Sequence, residues 1–207
     1  LLTELRRSTQ DHHGAIEALL DLGRPWQARR YGDVLRGFNA FLHPFENALN
    51  RGLPPHLRPW YATRRRAPLV AEDMAHLGLQ VPADLGARAA AVVQTVPTDG
   101  VASALGALYV IEGSALGGQV IAPRLAAELG HSPTLGARYF SGFGDRTGAL
   151  WRDFRDTAAR EVGDAPADVR LACRAACLTF DALIAVFAPL LGPAVGDARG
   201  APPALRS

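Results

Sequence analysis

Two short stretches of this chain hold residues whose types and spacing could do chemistry. In the first, His13 is followed four positions later by Glu17, so both side chains project from one face of a helix. A neutral imidazole that binds a metal usually gives its second N–H to an oxygen acceptor, which fixes tautomer and ring plane. Glu17 is placed to accept it. Arg6, seven residues before His13, shares that face and suits an acidic group on a bound ligand. His12 competes for the role without a carboxylate at i+4, and periodicity alone leaves the choice open.

The second stretch, Leu105 to Val120, is flanked by good helix formers yet carries Gly106, Gly113, Gly117 and Gly118. Each interior glycine costs about 1 kcal/mol relative to alanine, so the helix gives up roughly 4 kcal/mol. Gly106, Gly113 and Gly117 recur at seven and four residues and form one stripe. Such a stripe admits something flat against the backbone, and the adjacent glycines permit a kink. The alternative is close packing against another helix.

Helical periodicity dominates the elements that must position these residues, with no alternation of strand type. Expected helices run over Leu2–Leu22, Gln27–Asn50, Leu69–Leu77, Ala83–Val96, Val101–Leu129, Asp145–Val162 and Ala167–Leu191. The proline-rich stretch Leu53–Pro68 should hold only a short helix. Pro97-Thr98-Asp99-Gly100 reads as a breaker with capping residues. The expectation is a single all-α domain over 1–192 and a flexible Gly/Pro/Ala tail over 193–207.

Composition excludes several classes. Apolar residues make up 48% and charged residues 20% of the 207, ordinary for a globular domain. Lysine is absent, and a net charge of +2 argues against a nucleic-acid binder. The run Arg64-Arg65-Arg66 beside Pro68 reads as a solvated loop or helix start. No stretch of eighteen apolar residues exists, so no membrane span is expected, and Leu1 to Arg7 lack the shape of a secretory signal. Cys173 and Cys177, four apart on one helix, read as buried thiols in a reducing, cytoplasmic setting rather than a zinc or redox motif. Asp73-x-x-His76 reads as surface helix, and His43, His56 and His131 read as structural. Two Glu-x-x-His motifs, as a di-iron bundle would need, are not present.

Together the segments Leu5-Arg6-Arg7-Ser8-Thr9-Gln10-Asp11-His12-His13-Gly14-Ala15-Ile16-Glu17 and Leu108-Tyr109-Val110-Ile111-Glu112-Gly113-Ser114-Ala115-Leu116-Gly117-Gly118-Gln119-Val120 resemble the haem oxygenases, in particular the bacterial group that supplies biliverdin to phytochromes. The first is similar to the family's proximal helix, in which a Thr precedes the iron-ligating His by four and a Glu follows it by four. That alignment selects His13. The second is similar to the distal helix. Further similarity runs through Arg65 to Gly78 and Tyr139 to Phe154.

The resemblance implies a helical fold with haem held between the first helix and a glycine-kinked distal helix. His13 would be the iron's proximal ligand and Glu17 its hydrogen-bond partner. Gly113, Ser114, Gly117 and Gly118 would form the distal pocket, and Arg6, Arg152 and Tyr109 would meet the haem propionates. It also implies dioxygen as co-substrate, an external electron donor such as a ferredoxin or flavin reductase, and biliverdin, carbon monoxide and ferrous iron as products. A bacteriophytochrome would be the biliverdin acceptor. The departure is Ser114, where animal-type members place an Asp that organises distal water. A carrier or sensor that binds haem without turnover would share the same residues.

Overall fold

The computed structural model describes residues 1–192; the expected tail, 193–207, lies outside the described residues. Ten α-helices follow one another: α1 (Leu2–Ser8), α2 (Gln10–Leu20), α3 (Ala28–Gly52), α4 (Arg58–Ala62), α5 (Ala67–His76), α6 (Ala83–Val93), α7 (Val101–Leu129), α8 (Arg138–Ser141), α9 (Thr147–Val162) and α10 (Pro166–Leu191). Short 3-10 turns occupy Pro55–Leu57 and Gly144–Arg146. The all-α class is as expected. The bounds of α7 are the expected ones: Gly100 at φ +82° precedes it and Gly130 at φ +70° ends it, conformations that glycine adopts freely. The expected side-chain cap from the Thr98-Asp99 breaker is not made.

Burial periodicity explains the layers. On α3, Tyr31, Val34, Leu35, Phe38, Phe41, Leu42, Phe45 and Leu49 are buried, one apolar stripe that turns inward. On α7, every residue from Ala102 to Leu108 is buried, the mark of a helix covered on all sides. Its most extensive neighbour is α10, where Ala172, Ala175 and Ala176 are buried and allow close approach. The described helices share one hydrophobic core.

Several expectations need correction. The first helix is two, α1 and α2, joined at Thr9, whose φ of −103° and ψ of 2° leave the helical region. The Thr9 hydroxyl donates to the Leu5 carbonyl at 2.7 Å, the local back-bonding that bends helices at Ser and Thr. Main-chain bonding continues across the bend, since the His13 N–H still donates to the Thr9 carbonyl at 2.9 Å. By length and composition α7 and α10 could each cross a membrane, although no uninterrupted apolar run exists. Of those apolar stretches, 61% and 50% lie buried within the fold. The two cysteines are free and partly rather than fully buried.

The Arg64-Arg65-Arg66 run is not a solvated loop. Arg64 and Arg66 are buried. Glu46, also buried, accepts from the backbone N–H groups of Arg66 and Ala67 and from Arg65 Nε at 2.9 Å. One carboxylate thus satisfies the orphan donors at the start of α5 and pairs a cation. Asp73 is not on the surface either. It is 1% exposed and accepts the backbone N–H groups of Arg138 and Tyr139, both at 2.8 Å, which anchors the unforeseen α8 to α5.

Asp73→Ala leaves those two buried donors without a partner and should lower stability by about 3 kcal/mol. Asp73→Asn, which keeps one acceptor oxygen, should lose less. Urea unfolding of both variants checks this, and equal loss in the two would show that acceptor geometry is not what matters.

Candidate functional site

A cavity of about 670 Å³ lies between α2 and α7, within the range of roughly 300–1,000 Å³ that small-molecule sites occupy. Its depth is apolar and aromatic, with Phe38 from α3 and Phe180, Leu183 and Phe187 from α10. Arg6, His13, Glu17, Arg66 and Ser114 are among the polar residues that line it.

The α2 wall carries His13. Its Nδ1 lies 3.4 Å from Glu17 Oε2, so Nε2 is the ring nitrogen that Glu17 does not engage. Phe180 meets the imidazole edge-on with centroids 6.0 Å apart and limits its tilt. His12 turns elsewhere. Its Nε2 is 3.5 Å from Asp181 on α10, and it does not line the cavity. Arg6 lines the same cavity, so the bend at Thr9 does not separate it from His13. Tyr109 lines it too; burial pushes its phenol upward in pKa, while Thr9 and Arg6 pull it down.

Two arginines fix the exit of α2. Arg30 donates to the carbonyls of Leu20 and Asp21. Arg124 of α7 donates to those of Leu22, Gly23 and Arg24, and Glu128 accepts the N–H of Trp26. The end of the His13 helix is therefore tied to the helix that forms the opposite wall.

The glycines of α7 divide into two kinds. A Cβ on Gly106 would stand 2.2 Å from the Ala172 carbonyl oxygen, and one on Gly118 would stand 2.4 Å from that of Phe140. Both are close-packing glycines, and Gly118 does not line the cavity. Gly113 and Gly117 do line it. A Cβ on Gly117 would meet nothing within 4 Å. The helix runs unbroken through all four. Ser114 lines the cavity between them and donates to the Ile111 carbonyl at 2.8 Å.

Of the expected residues, Arg6, Tyr109, His13, Glu17, Gly113, Ser114 and Gly117 come together around one space. Gly118 and Arg152 do not. Arg152 is exposed on α9, and its neighbour Trp151 takes the lining position. Sequence reasoning missed Arg66. It is 4% exposed, lines the cavity from the start of α5, and reaches Ser114 Oγ at 3.4 Å. Nothing local marks it, because its contacts, Ile111, Ser114 and Tyr139, lie 45 to 73 residues away. Beside it Glu112 is buried, which raises its carboxyl pKa against the pull of Arg64, 3.1 Å away.

Comparison with known proteins gives a consistent result. The family model described as "Heme oxygenase" matches residues 1–189. A "Heme oxygenase" of Xanthomonas campestris pv. campestris (strain 8004) is 33% identical over 141 residues, 68% of this chain and 78% of that protein. The NO- and CO-bound heme oxygenase of Neisseria meningitidis superposes with a TM-score of 0.72 at 21% identity, covering 94% of this chain and 93% of that one. Heme oxygenase 2 of Chlamydomonas reinhardtii, solved without heme, superposes with a TM-score of 0.74 at 16% identity over 93% and 98%. At these identities the two structures establish the shared fold.

The two kinds of glycine predict opposite responses. Gly117→Ala should keep or raise thermal stability, by up to about 1 kcal/mol, whereas Gly118→Ala should lose about 1–3 kcal/mol through backbone displacement. Thermal unfolding of the pair checks this, and a stable Gly118→Ala would show that α8 yields without cost.

Proposed function

The chain belongs to the haem oxygenase family, whose members degrade haem, and we propose that it does so with haem held on His13 and its ring laid against Gly113 and Gly117. The observation that carries this reading is the sharing of one cavity by the His13–Glu17 pair and two glycines of α7, Gly113 and Gly117. The open space beside Gly117 suits a flat macrocycle, and the aromatic depth suits its apolar edges.

Bound haem supplies the iron at which dioxygen reacts and the ring that is opened. The chain supplies the rest. Glu17 holds His13 Nδ1–H and leaves Nε2 free for the iron, which fixes ring orientation and increases ligand basicity. Arg6, exposed at the mouth, pairs a propionate through its forked donors, with Tyr109 as a second partner. Arg152, also exposed, can serve a propionate only by reaching across from α9. Phe38, Phe180 and Phe187 exclude water from the depth of the site. Ser114 Oγ both donates and accepts, so with ordered water it can hold a proton where animal-type relatives use a carboxylate.

In this reading the products are biliverdin, carbon monoxide and ferrous iron, and electrons come from a separate ferredoxin or flavin reductase. The protein works in a bacterial cytoplasm, and a bacteriophytochrome takes the biliverdin. Residues 1–192 act as one functional unit. A second reading, a haem carrier or sensor, draws on Ser114 in place of the carboxylate.

Titration with haem followed by reductant, with catalase present, tests these readings. We expect a one-to-one complex and the absorbance of biliverdin. His13→Ala should lose the protein's bond to the iron and regain the spectrum on addition of imidazole, while His12→Ala should not change it. Glu17→Ala should weaken binding or turnover by about 10- to 100-fold. Ser114→Ala should lose far less than the ~100-fold expected of an essential general acid. A haem band that persists under reductant with no biliverdin would favour the carrier or sensor instead, and loss of the band without biliverdin would overturn the oxygenase reading.

A further inference from the structure

Three aromatic rings stack in a row that leads out of the cavity. Trp151 lines the cavity from α9, and its Cη2 is the nearest neighbour, at 3.9 Å, of a Cβ placed on Gly113. Phe154, three residues further along α9, stacks on Trp151 with centroids 5.5 Å and planes 16° apart. Trp60 of α4 stacks on Phe154 in turn, at 6.5 Å and 20°. Tyr109, which also lines the cavity, adjoins Trp151 at 5.9 Å. At the outer end Trp60 is half-buried, and its indole N–H donates to Asp153 Oδ2 at 2.6 Å. The Asp153 side chain is 52% exposed. Arg64 lies over the Trp60 ring, 4.0 Å from the centroid. A second aromatic run leaves the cavity at Phe140 and passes Tyr31, at 6.1 Å, to Trp26, at 5.8 Å. It ends inside the protein: Trp26 is 4% exposed, and its Nε1 has no hydrogen-bond partner among the described residues.

Indole and phenol rings give up an electron readily and do not accept one, so such a row carries oxidising equivalents outward rather than reducing equivalents inward. An indole that has lost an electron is a strong N–H acid and needs a base beside it. The Arg64 cation over the ring opposes positive charge on Trp60. Asp153 removes that obstacle by taking the proton, and its exposure lets water carry the proton away. Trp26 has no such acceptor. We propose that Trp151, Phe154 and Trp60 form a path by which one-electron oxidising equivalents leave the cavity for the protein surface. This inference rests on the reading that haem fills the cavity. The co-reactants are hydrogen peroxide inside and a one-electron reductant of the ascorbate or thiol class outside. Trp151 gives one electron to the haem–peroxide pair and recovers one from Trp60 through the phenyl ring of Phe154. Trp60 passes its Nε1 proton to Asp153 and stands as a neutral radical until the reductant returns an electron and the proton comes back. Two passages, with two protons from solvent, reduce one peroxide to two waters. The path thus discharges at the surface an oxidant that would otherwise attack Tyr109 and the residues around the ring.

The test uses the full chain loaded with ferric haem, as wild type and as Trp60→Phe, Trp151→Phe and Trp151→Tyr. Formation of the haem spectrum reports on the reading of the cavity, independently of the path. An equimolar amount of hydrogen peroxide is then added with a nitroso spin trap, and the trapped residues are located by peptide mass spectrometry. We expect the wild type to carry the label at Trp60, and to lose it when ascorbate is present. Trp151→Phe keeps an aromatic ring but no oxidisable one, so the label at Trp60 should vanish and that at Tyr109 should rise. Trp151→Tyr should restore label at Trp60. Trp60→Phe should take up haem as the wild type does and shift the label back to Trp151 and Tyr109. Should Trp151→Phe fail to take up haem, Trp60→Phe carries the test, since Trp60 stands outside the cavity. Label at Trp60 that is unchanged in Trp151→Phe, or that forms equally when haem is left out, would overturn the proposal. So would a wild-type label at Tyr31 or Trp26 in place of Trp60, which would assign the outlet to the other run. A wild-type chain that takes up no haem would overturn the reading of the cavity and the path with it.

Discussion

The placement of α7 depends on two contacts in which backbone touches backbone. Gly106 admits the Ala172 carbonyl of α10, and Gly118 admits the Phe140 carbonyl of α8. Neither contact survives a methyl group at its present distance. Twelve residues of helix separate the two points, about 18 Å at 1.5 Å per residue. Between them the helix is suspended over the cavity, with Gly113 and Gly117 on its underside. Close packing and open space therefore alternate along one helix, and the first is what makes the second possible.

Electrostatics follow from the same frame. Arg64 and Arg66 are drawn inward at the start of α5 while Arg65 stays partly exposed; Glu112 and Asp153 receive Arg64, and Glu46 receives Arg65. Breaking such a buried pair by removing one partner leaves an uncompensated charge, so the cluster constrains α3, α5, α7 and α9 together. Trp60 contributes as well: Arg64 lies 4.0 Å over its ring, and its indole N–H donates to Asp153 at 2.6 Å. The polar interior is dense on this side of α7, while the α10 side is almost wholly apolar.

The features legible in the sequence were those with local causes. Glycines at both ends of α7 stated its length, and the i, i+4 spacing of His13 and Glu17 stated their shared face. The bend at Thr9 was also local, but a threonine within a helical pattern does not announce whether its hydroxyl will bond back to the main chain. Gly117 and Gly118 show the limit most clearly. They are adjacent and chemically identical, yet one faces open space and the other a carbonyl, a difference made by α8 more than twenty residues later. Arg66 and Asp73 were misread for the same reason: their partners become neighbours only after α5, α7 and α8 assemble. Family resemblance placed Arg152 near the site, but one step along α9, about 100° of rotation, hands the cavity to Trp151 instead.

The tether between α2 and α7 has a bearing on how this sequence can drift. Arg30 and Arg124 grip the carbonyl oxygens of Leu20 through Arg24, and Glu128 grips the N–H of Trp26. All of these are main-chain atoms, present whatever side chain the position bears. The loop from Asp21 to Pro25 is accordingly free to exchange residues while its path is kept, provided the αL turn at Asp21 remains accessible. The information that fixes the loop is stored in the three residues that hold it, so mutational tolerance and structural definition coexist in one segment.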